Sequence, residues 1–398
     1  MTARWQVKSL GEILVKTETV DPTRYPDEEF VYIDVSSVSN ETLSIREVQR
    51  LMGADAPSRA RKRVRVNDVI FATIRPTLRR IAIVPKELDG EVCSTGYFVL
   101  RPKPEVDPRF VYYFLQTETF MLGMESLQKG ASYPAVTDGD VRSQSIAFPS
   151  LSDQQRIVAI LDEAFEGIAN AKANAEKNLQ NAKAIFEEHL RAVFANSGGA
   201  WAEKRLGDLC SRVSVGHVGP TSRYYCDAGI GIPFLRSQNV RPGRIDFDGL
   251  QYITPEFHRK LRKSILKPGD LLFVRVGANR GDCCVVPEGV GELNCANIVF
   301  ARPEDELSEF VALYCRSEIG RQRLLGMTTG AAQGVINTGS VAELMVPLPN
   351  SNERKQITAQ LDALASESQR VKALYEQKLA ALDDLKNSLL HHAFSGQL

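Results

Sequence analysis

No apolar stretch in this 398-residue chain approaches the roughly 18 residues that a bilayer-crossing helix needs. The first ten residues carry charge and hold no apolar core of signal-peptide length. Neither export nor membrane insertion is therefore expected, and the chain reads as cytoplasmic.

Metal-binding chemistry is equally thin. There are 5 histidines, and the seven cysteines (Cys93, Cys210, Cys226, Cys283, Cys284, Cys295 and Cys315) form no C-x-x-C pair and keep no metal spacing with histidine. They read as reduced core thiols. His391 and His392 lack neighbouring ligands and read as helix surface.

Catalytic signatures are missing too. The chain has no G-x-x-x-x-G-K-[ST] phosphate loop, no Asn-Pro-Pro-aromatic motif of an amino-methyltransferase and no G-x-S-x-G nucleophile elbow. The acidic run Asp27-Glu28-Glu29 has no Glu-x-Lys partner at nuclease spacing, which leaves it a solvated loop. ATP use, methyl transfer and metal-dependent cleavage are not expected, so the reading is a non-catalytic protein that binds no cofactor or metal of its own.

Net charge is absent as well, with 49 basic against 49 acidic residues. Binding to a polyanion would have to come from local placement, not from overall charge.

What the sequence does contain is itself, twice. Trp5-x-x-Lys8-x-Leu10-Gly11 returns as Trp201-x-x-Lys204-x-Leu206-Gly207, and Asp68-Val69-Ile70-Phe71 returns as Asp270-Leu271-Leu272-Phe273. Phe110-Val111, Gly130-Ala131 and Val141 to Pro149 reappear as Phe310-Val311, Gly330-Ala331 and Val341 to Pro349. The pairing continues from Ile157 and Ile357 to Phe194 and Phe394 without further drift. Self-similarity at a spacing near 200 residues means a tandem duplication. In each repeat a globular part tolerates insertions, whereas the tail is a fixed frame.

The tails read as helices. Ser152-Asp153-Gln154-Gln155 has the pattern of a capping box, directly after Pro149. Ile157, Leu161, Ala164, Ile168, Ala171, Ala175, Ala182, Phe186 and Val193 then follow steps of four and three, with Asn178 and His189 interrupting the seam. The second tail places Ile357, Leu361, Leu364, Val371, Tyr375, Leu382 and Leu389 in the same phase, with Ser368, Lys378 and Lys386 as interruptions. Two coiled-coil partners of about 60 Å each are expected, against the alternative of two separate amphipathic helices packed on their own domains.

The globular parts carry short β-rich runs, Phe30 to Ile33, Val69 to Phe71, Ile81 to Val84, Leu271 to Phe273 and Val285-Val286, followed by helical stretches near Arg109 to Leu122 and Ser308 to Leu325. Each is an α+β domain. Between Arg59 and Arg80 stand eight basic residues, Arg59, Arg61, Lys62, Arg63, Arg65, Arg75, Arg79 and Arg80, against the single acid Asp68. The second repeat places ten between Arg236 and Arg280 against four acids, among them Arg241, Arg244, Arg259, Lys260, Arg262, Lys263, Lys267 and Arg275. Such strips suit phosphate neutralisation and guanine reading, or they are solvated charged faces. Ser36, Ser37, Gln238, Asn239, Asn279 and the loops Ser132-Tyr133-Pro134 and Gln333-Gly334 supply polar groups nearby. These could read bases or cap turns.

Phe148-Pro149-x-Leu151-x-x-Gln154-x-x-Ile157-x-x-x-Leu161-Asp162, together with Leu385-Lys386-x-Ser388-Leu389-Leu390-x-x-Ala393-Phe394-Ser395-Gly396-x-Leu398, resembles the specificity subunit of type I restriction-modification systems. Asn350-Ser351-Asn352 departs from the more apolar or proline-bearing helix entry of that family. The resemblance implies target-recognition domains at 1–151 and 200–351 and helical spacers at 152–199 and 352–398. The fold class is then α+β, with two pseudo-symmetric α/β target-recognition domains separated by two long antiparallel coiled-coil helices. It implies that each domain reads one half of a split, asymmetric sequence in double-stranded DNA. It also implies two modification subunits that methylate adenine at N6 with S-adenosylmethionine, and restriction subunits that translocate and cut with ATP and Mg. Two other readings stay open: a specificity subunit of a related system that cuts on both sides of its site, and a coiled-coil scaffold that binds proteins and not DNA.

Overall fold

The computed structural model describes residues 5–195, 201–304, 306–327 and 334–398. By its contacts the chain divides into two compact units. One comprises Met1–Glu176 with Glu376–Leu398, and the other comprises Lys177–Tyr375.

In the first unit, the strands Gln49–Met52, Glu29–Ile33, Val92–Ser94 and Ala60–Arg63 form a sheet in that order, with only the central pair parallel. A second sheet runs Leu14–Val15, Tyr97–Pro102, Val69–Ala72 and Ile81–Ile83, all antiparallel. Val69–Ala72 is buried along its whole length, which its unbroken apolar run dictates. Gln6–Ser9 pairs with Ser145–Phe148, so the repeat motif around Trp5 closes onto the strand that precedes the helical tail.

The second unit repeats this topology. Gln251–Ile253, Ile232–Leu235, Leu293–Cys295 and Ile265–Leu266 form one sheet, and Cys210–Val215, Ile298–Pro303, Leu271–Val274 and Cys283–Val285 the other. Ala202–Arg205 pairs with Met345–Leu348. The helical stretch expected after each sheet is two helices in both units: Pro108–Phe114 and Glu118–Leu127, and Ser308–Arg316 and Glu318–Gly326. Thr117 and Ser317 make the break, each extended in backbone and each capping the helix that follows through its hydroxyl. The repeat positions Gly330 and Ala331 lie outside the described residues.

The tails are helices at Leu151–Ala195 and Ser351–Ser395. The first starts two residues earlier than its capping signal suggested. Ser150, not Ser152, accepts from the Asp153 amide at 3.2 Å. Gln154 is buried instead, accepting from the Asp107 amide at 2.9 Å and donating to the Pro149 carbonyl at 3.0 Å. Asn350 caps the second helix by accepting from the Glu353 amide at 3.0 Å.

Within the first unit the start of the first long helix runs antiparallel to the end of the second. Arg156 donates to the Leu398 carbonyl at 2.9 Å, Lys386 lies over the Phe165 ring at 5.1 Å, and Lys172 pairs with Asp383. Ile157, Leu161 and Ile168 are buried, and Leu382 and Leu389 are half-buried. Within the second unit Ser368 donates to the Ala182 carbonyl at 3.2 Å. There Phe186 and Leu361 are buried, and Ile357, Leu364 and Val371 are half-buried.

Three of the expected polar interruptions of the seam need correction. Asn178, His189 and Lys378 are exposed, and the adjacent Leu179, Leu190 and Leu379 take the inward positions. A helix of 3.6 residues per turn drifts against a strict 3.5-residue repeat, so at these three positions the seam steps over by one residue, while Ser368 and Lys386 stay half-buried on it as the expected polar interruptions.

Each unit also packs an aromatic from the end of a long helix against its globular core. In the first, Phe394 packs on Phe110 and Phe114, with ring centroids 4.8 and 5.5 Å apart. In the second, Phe194 packs on Phe310 and Tyr314 at 5.5 and 5.3 Å. All seven cysteines are free thiols, five of them buried, and burial pushes the Cys93 thiol up to about 12. Among the described residues no helix is long and apolar enough to cross a membrane, and no group of side chains has the makings of a metal site.

Candidate nucleic-acid interface

The basic strip of the first unit runs along the strand Ala60–Arg63, and five of its eight cations have partners within the unit. Lys62 donates to the Tyr97 carbonyl at 2.6 Å and to Asp138 at 2.8 Å. Arg61 pairs with Asp21 at 3.4 Å, a carboxylate held below its usual range first by the Thr23 hydroxyl and then by Arg61. Arg63 and Arg65 share Glu18 at 3.8 and 3.5 Å. Arg80 donates to the carbonyls of Val35 and Val38 at 2.8 and 3.2 Å. The reading of eight cations against one acid is corrected accordingly, because Glu18, Asp21 and Asp138 reach the strip from distant parts of the chain.

Three arginines of the strip remain exposed without a carboxylate among the described residues. Arg59 and Arg79 make no side-chain hydrogen bond or ion pair among the described residues, and Arg75 lies 5.0 Å from the centre of the Tyr133 ring. Arg75 and Arg79 sit on the loop between Val69–Ala72 and Ile81–Ile83. A second segment braces that loop: the Arg75 amide donates to the Pro134 carbonyl at 2.7 Å, and the Val136 amide to the Thr73 carbonyl at 2.9 Å. Ile74 and Ala135 form an antiparallel bridge between the two. Tyr133 crowns the pair of loops with 72% of its surface exposed.

The second unit builds the same two-loop arrangement between Leu271–Val274 and Cys283–Val285. The Ile336 amide donates to the Arg275 carbonyl at 3.1 Å, the Arg275 side chain donates to the Ile336 carbonyl at 3.3 Å, and Arg280 donates to the Gly334 carbonyl. Val276, Gly277, Ala278, Arg280, Arg321 and Gly334 help line a cavity of about 420 Å³ there. Asn279 is exposed at the tip.

Other expected readers are used structurally. Asn239 is fully buried, accepting from the Arg236 amide at 3.0 Å and donating to the Asp246 carbonyl at 2.9 Å, so it caps a turn and cannot meet a base. Ser37 is buried and Ser36 hydrogen-bonds Asp34, which makes them turn residues also. Arg241 is half-buried and donates to the neighbouring Val240 carbonyl, whereas Gln238 and Arg244 are exposed. Gln333 lies outside the described residues.

Composition counts overlooked one relationship. Arg101 grips buried Asp68 through two parallel hydrogen bonds, and Arg302 grips buried Asp270 in the same way. Both pairs stand at equivalent points of the repeat, and Leu100-Arg101-Pro102 against Ala301-Arg302-Pro303 was the signal that could have found them.

Comparison with known proteins agrees with this architecture. Residues 3–179 match the family described as type I restriction modification DNA specificity domain. The chain is 25% identical over 331 residues to the type I restriction enzyme EcoKI specificity subunit of Escherichia coli (strain K12), covering 77% of this chain and 69% of that protein. Among solved structures, it is similar to a chain from work on complex assembly and conformational transition of the type I R-M system, with TM-score 0.84, 30% identity and coverage of 99% and 98% of the two chains. The HsdS subunit from Thermoanaerobacter tengcongensis aligns with TM-score 0.65 at 29% identity, covering 99% and 97%.

Proposed function

Because the chain belongs to the specificity subunits of type I restriction-modification systems, whose work is recognition of DNA sequence, we propose that it reads a bipartite, asymmetric target, one half-site through each recognition domain. The observation that carries this reading is the braced two-loop arrangement present at the same place in both units. Its backbone support is repeated, and its tip residues differ: Arg75-Pro76-Thr77-Leu78-Arg79 in one and Gly277-Ala278-Asn279-Arg280-Gly281 in the other. Equal frames carrying unequal tips favour two half-sites of different sequence.

On this reading the chain performs no chemistry itself and holds no cofactor. It directs two modification subunits, which methylate adenine at N6 with S-adenosylmethionine, and restriction subunits that use ATP and Mg. Phosphate contacts supply much of the affinity and make it fall steeply with salt, while the loop tips discriminate bases.

The test is to co-express the chain with its neighbouring methyltransferase in a host lacking adenine methylation and to sequence the DNA for modified adenines. A split asymmetric motif is expected. A soluble, active complex that marks no such motif would favour a scaffold that binds proteins through its helices and domains. Cleavage on both sides of the motif would assign the chain to the related class of system.

A further inference from the structure

The two loop tips share a backbone and differ in what they place on it. Two positions in the first unit's loop are left-handed, Arg75 at φ 49° and Arg79 at φ 53°. Counting from the paired strands that start at Val69 and Leu271, the corresponding residues of the second unit are Gly277 and Gly281, left-handed at φ 88° and 89°. Glycine adopts that conformation freely, and a side chain does so at a cost. Among the described residues nothing lies within 4 Å of a Cβ at Gly277, so none of them requires glycine there for space. The first unit thus holds two arginines in a conformation that the fold would accept more readily from glycine, and such local strain marks positions kept for what the side chain does.

Arg75 is also positioned for a particular task. Its guanidinium lies over the ring of Tyr133, an aromatic otherwise open to water, and its backbone is pinned to Pro134. A guanidinium held over an aromatic ring and paired with no carboxylate among the described residues keeps N–H donors available for O6 and N7 of guanine. Arg79, exposed four residues on, has no carboxylate partner among the described residues and suits a phosphate.

We propose that Arg75, held against Tyr133, is the specificity-determining residue of the first recognition domain and reads a guanine in its half-site, and that Arg79 holds a flanking phosphate. This inference rests on the DNA-reading function proposed above.

The experiment uses the whole complex of this chain with its modification subunits. Binding is measured on duplexes carrying the methylated motif of the wild type and on duplexes with each guanine replaced in turn. Arg75→Gly should leave the thermal midpoint unchanged or raise it, since glycine suits the backbone. It should also erase discrimination at one guanine of one half-site, a loss on the order of ten- to a hundred-fold. Arg75→Lys keeps the charge but not the fork and should lose the same discrimination. Arg79→Gly should weaken all sequences alike and lower the slope of log affinity against log salt by about one.

A wild-type split motif that Arg75→Gly leaves unchanged, or a loss spread over both half-sites, overturns the role of Arg75 while the DNA-reading function stands. A wild-type complex with no sequence-dependent binding overturns both. An unchanged salt slope in Arg79→Gly overturns the phosphate contact.

Discussion

Arg101 meets Asp68 side-on, Nε to Oδ1 at 2.9 Å and Nη2 to Oδ2 at 2.8 Å, and Asp68 has only 1% of its surface exposed. The same carboxylate accepts the Arg65 amide at 2.8 Å, so it ties the turn before Val69–Ala72 to the neighbouring strand Tyr97–Pro102. Arg302, Asp270 and the Lys267 amide repeat the arrangement in the second unit.

Removing the cation while leaving the carboxylate strands a buried charge. Arg101→Ala should therefore destabilise the protein by about 3–5 kcal/mol, with Arg302→Ala similar. Urea denaturation checks both. The double replacement Arg101→Met with Asp68→Leu should recover much of the loss, and a double variant as unstable as the single one would show that the pair does more than neutralise itself.

Phe194 has 3% of its surface exposed among Phe310, Tyr314 and Trp201. Phe194→Ala should cost about 3–5 kcal/mol through lost burial and the cavity left behind. Hydrogen exchange should show the loss in the second unit, around Ser308–Arg316. Protection lost uniformly along the chain would mean that the two units unfold as one.

Lys386 is held below its ordinary value of 10.5, first by burial and then by the nearby cations Lys172 and Arg79, against the opposing pull of Asp383. A lysine lowered on folding binds fewer protons folded than unfolded, so its penalty is full below the lowered value and fades as pH rises towards 10.5. Lys386→Met should raise stability at neutral pH, and the advantage over wild type should shrink on going alkaline. An advantage that grows with pH would contradict this account.

Inserting one heptad in phase into both long helices, near Glu176 and Tyr375, adds about 10 Å of helix to each. Methylation sequencing should then report a changed number of unread base pairs between two unchanged half-sites. Altered half-sites would break the division between frame and reader.

The repeat and the long helices were legible in the sequence, because periodicity and self-similarity can be read from the string without knowing which residues meet in space. The strand Val69–Ala72 was equally plain, since full burial requires an unbroken apolar run. The helix seam was only partly so. Asn178 and Lys378 fall on a strict heptad count, and the drift that lets Leu179 and Leu379 replace them accumulates over many turns. The basic strips misled for a different reason. Lys62 lies 76 residues from its partner Asp138, and no count within a window can see such a partner. Arg75 and Arg79 were visible as cations, but their left-handed backbone, which separates them from Arg61 and Arg63, follows from loop bracing that only the fold reveals.

The division of the chain into units has a consequence for how it comes off the ribosome. The second unit is one continuous stretch, Lys177–Tyr375, whereas the first needs Glu376–Leu398, which supplies the buried Leu390 and Ala393 to its core. Although its recognition domain is translated first, the first unit has to wait for the last of these segments, with part of its apolar surface uncovered meanwhile. Two halves that are equals in architecture are therefore completed in the reverse of the order in which their domains are made.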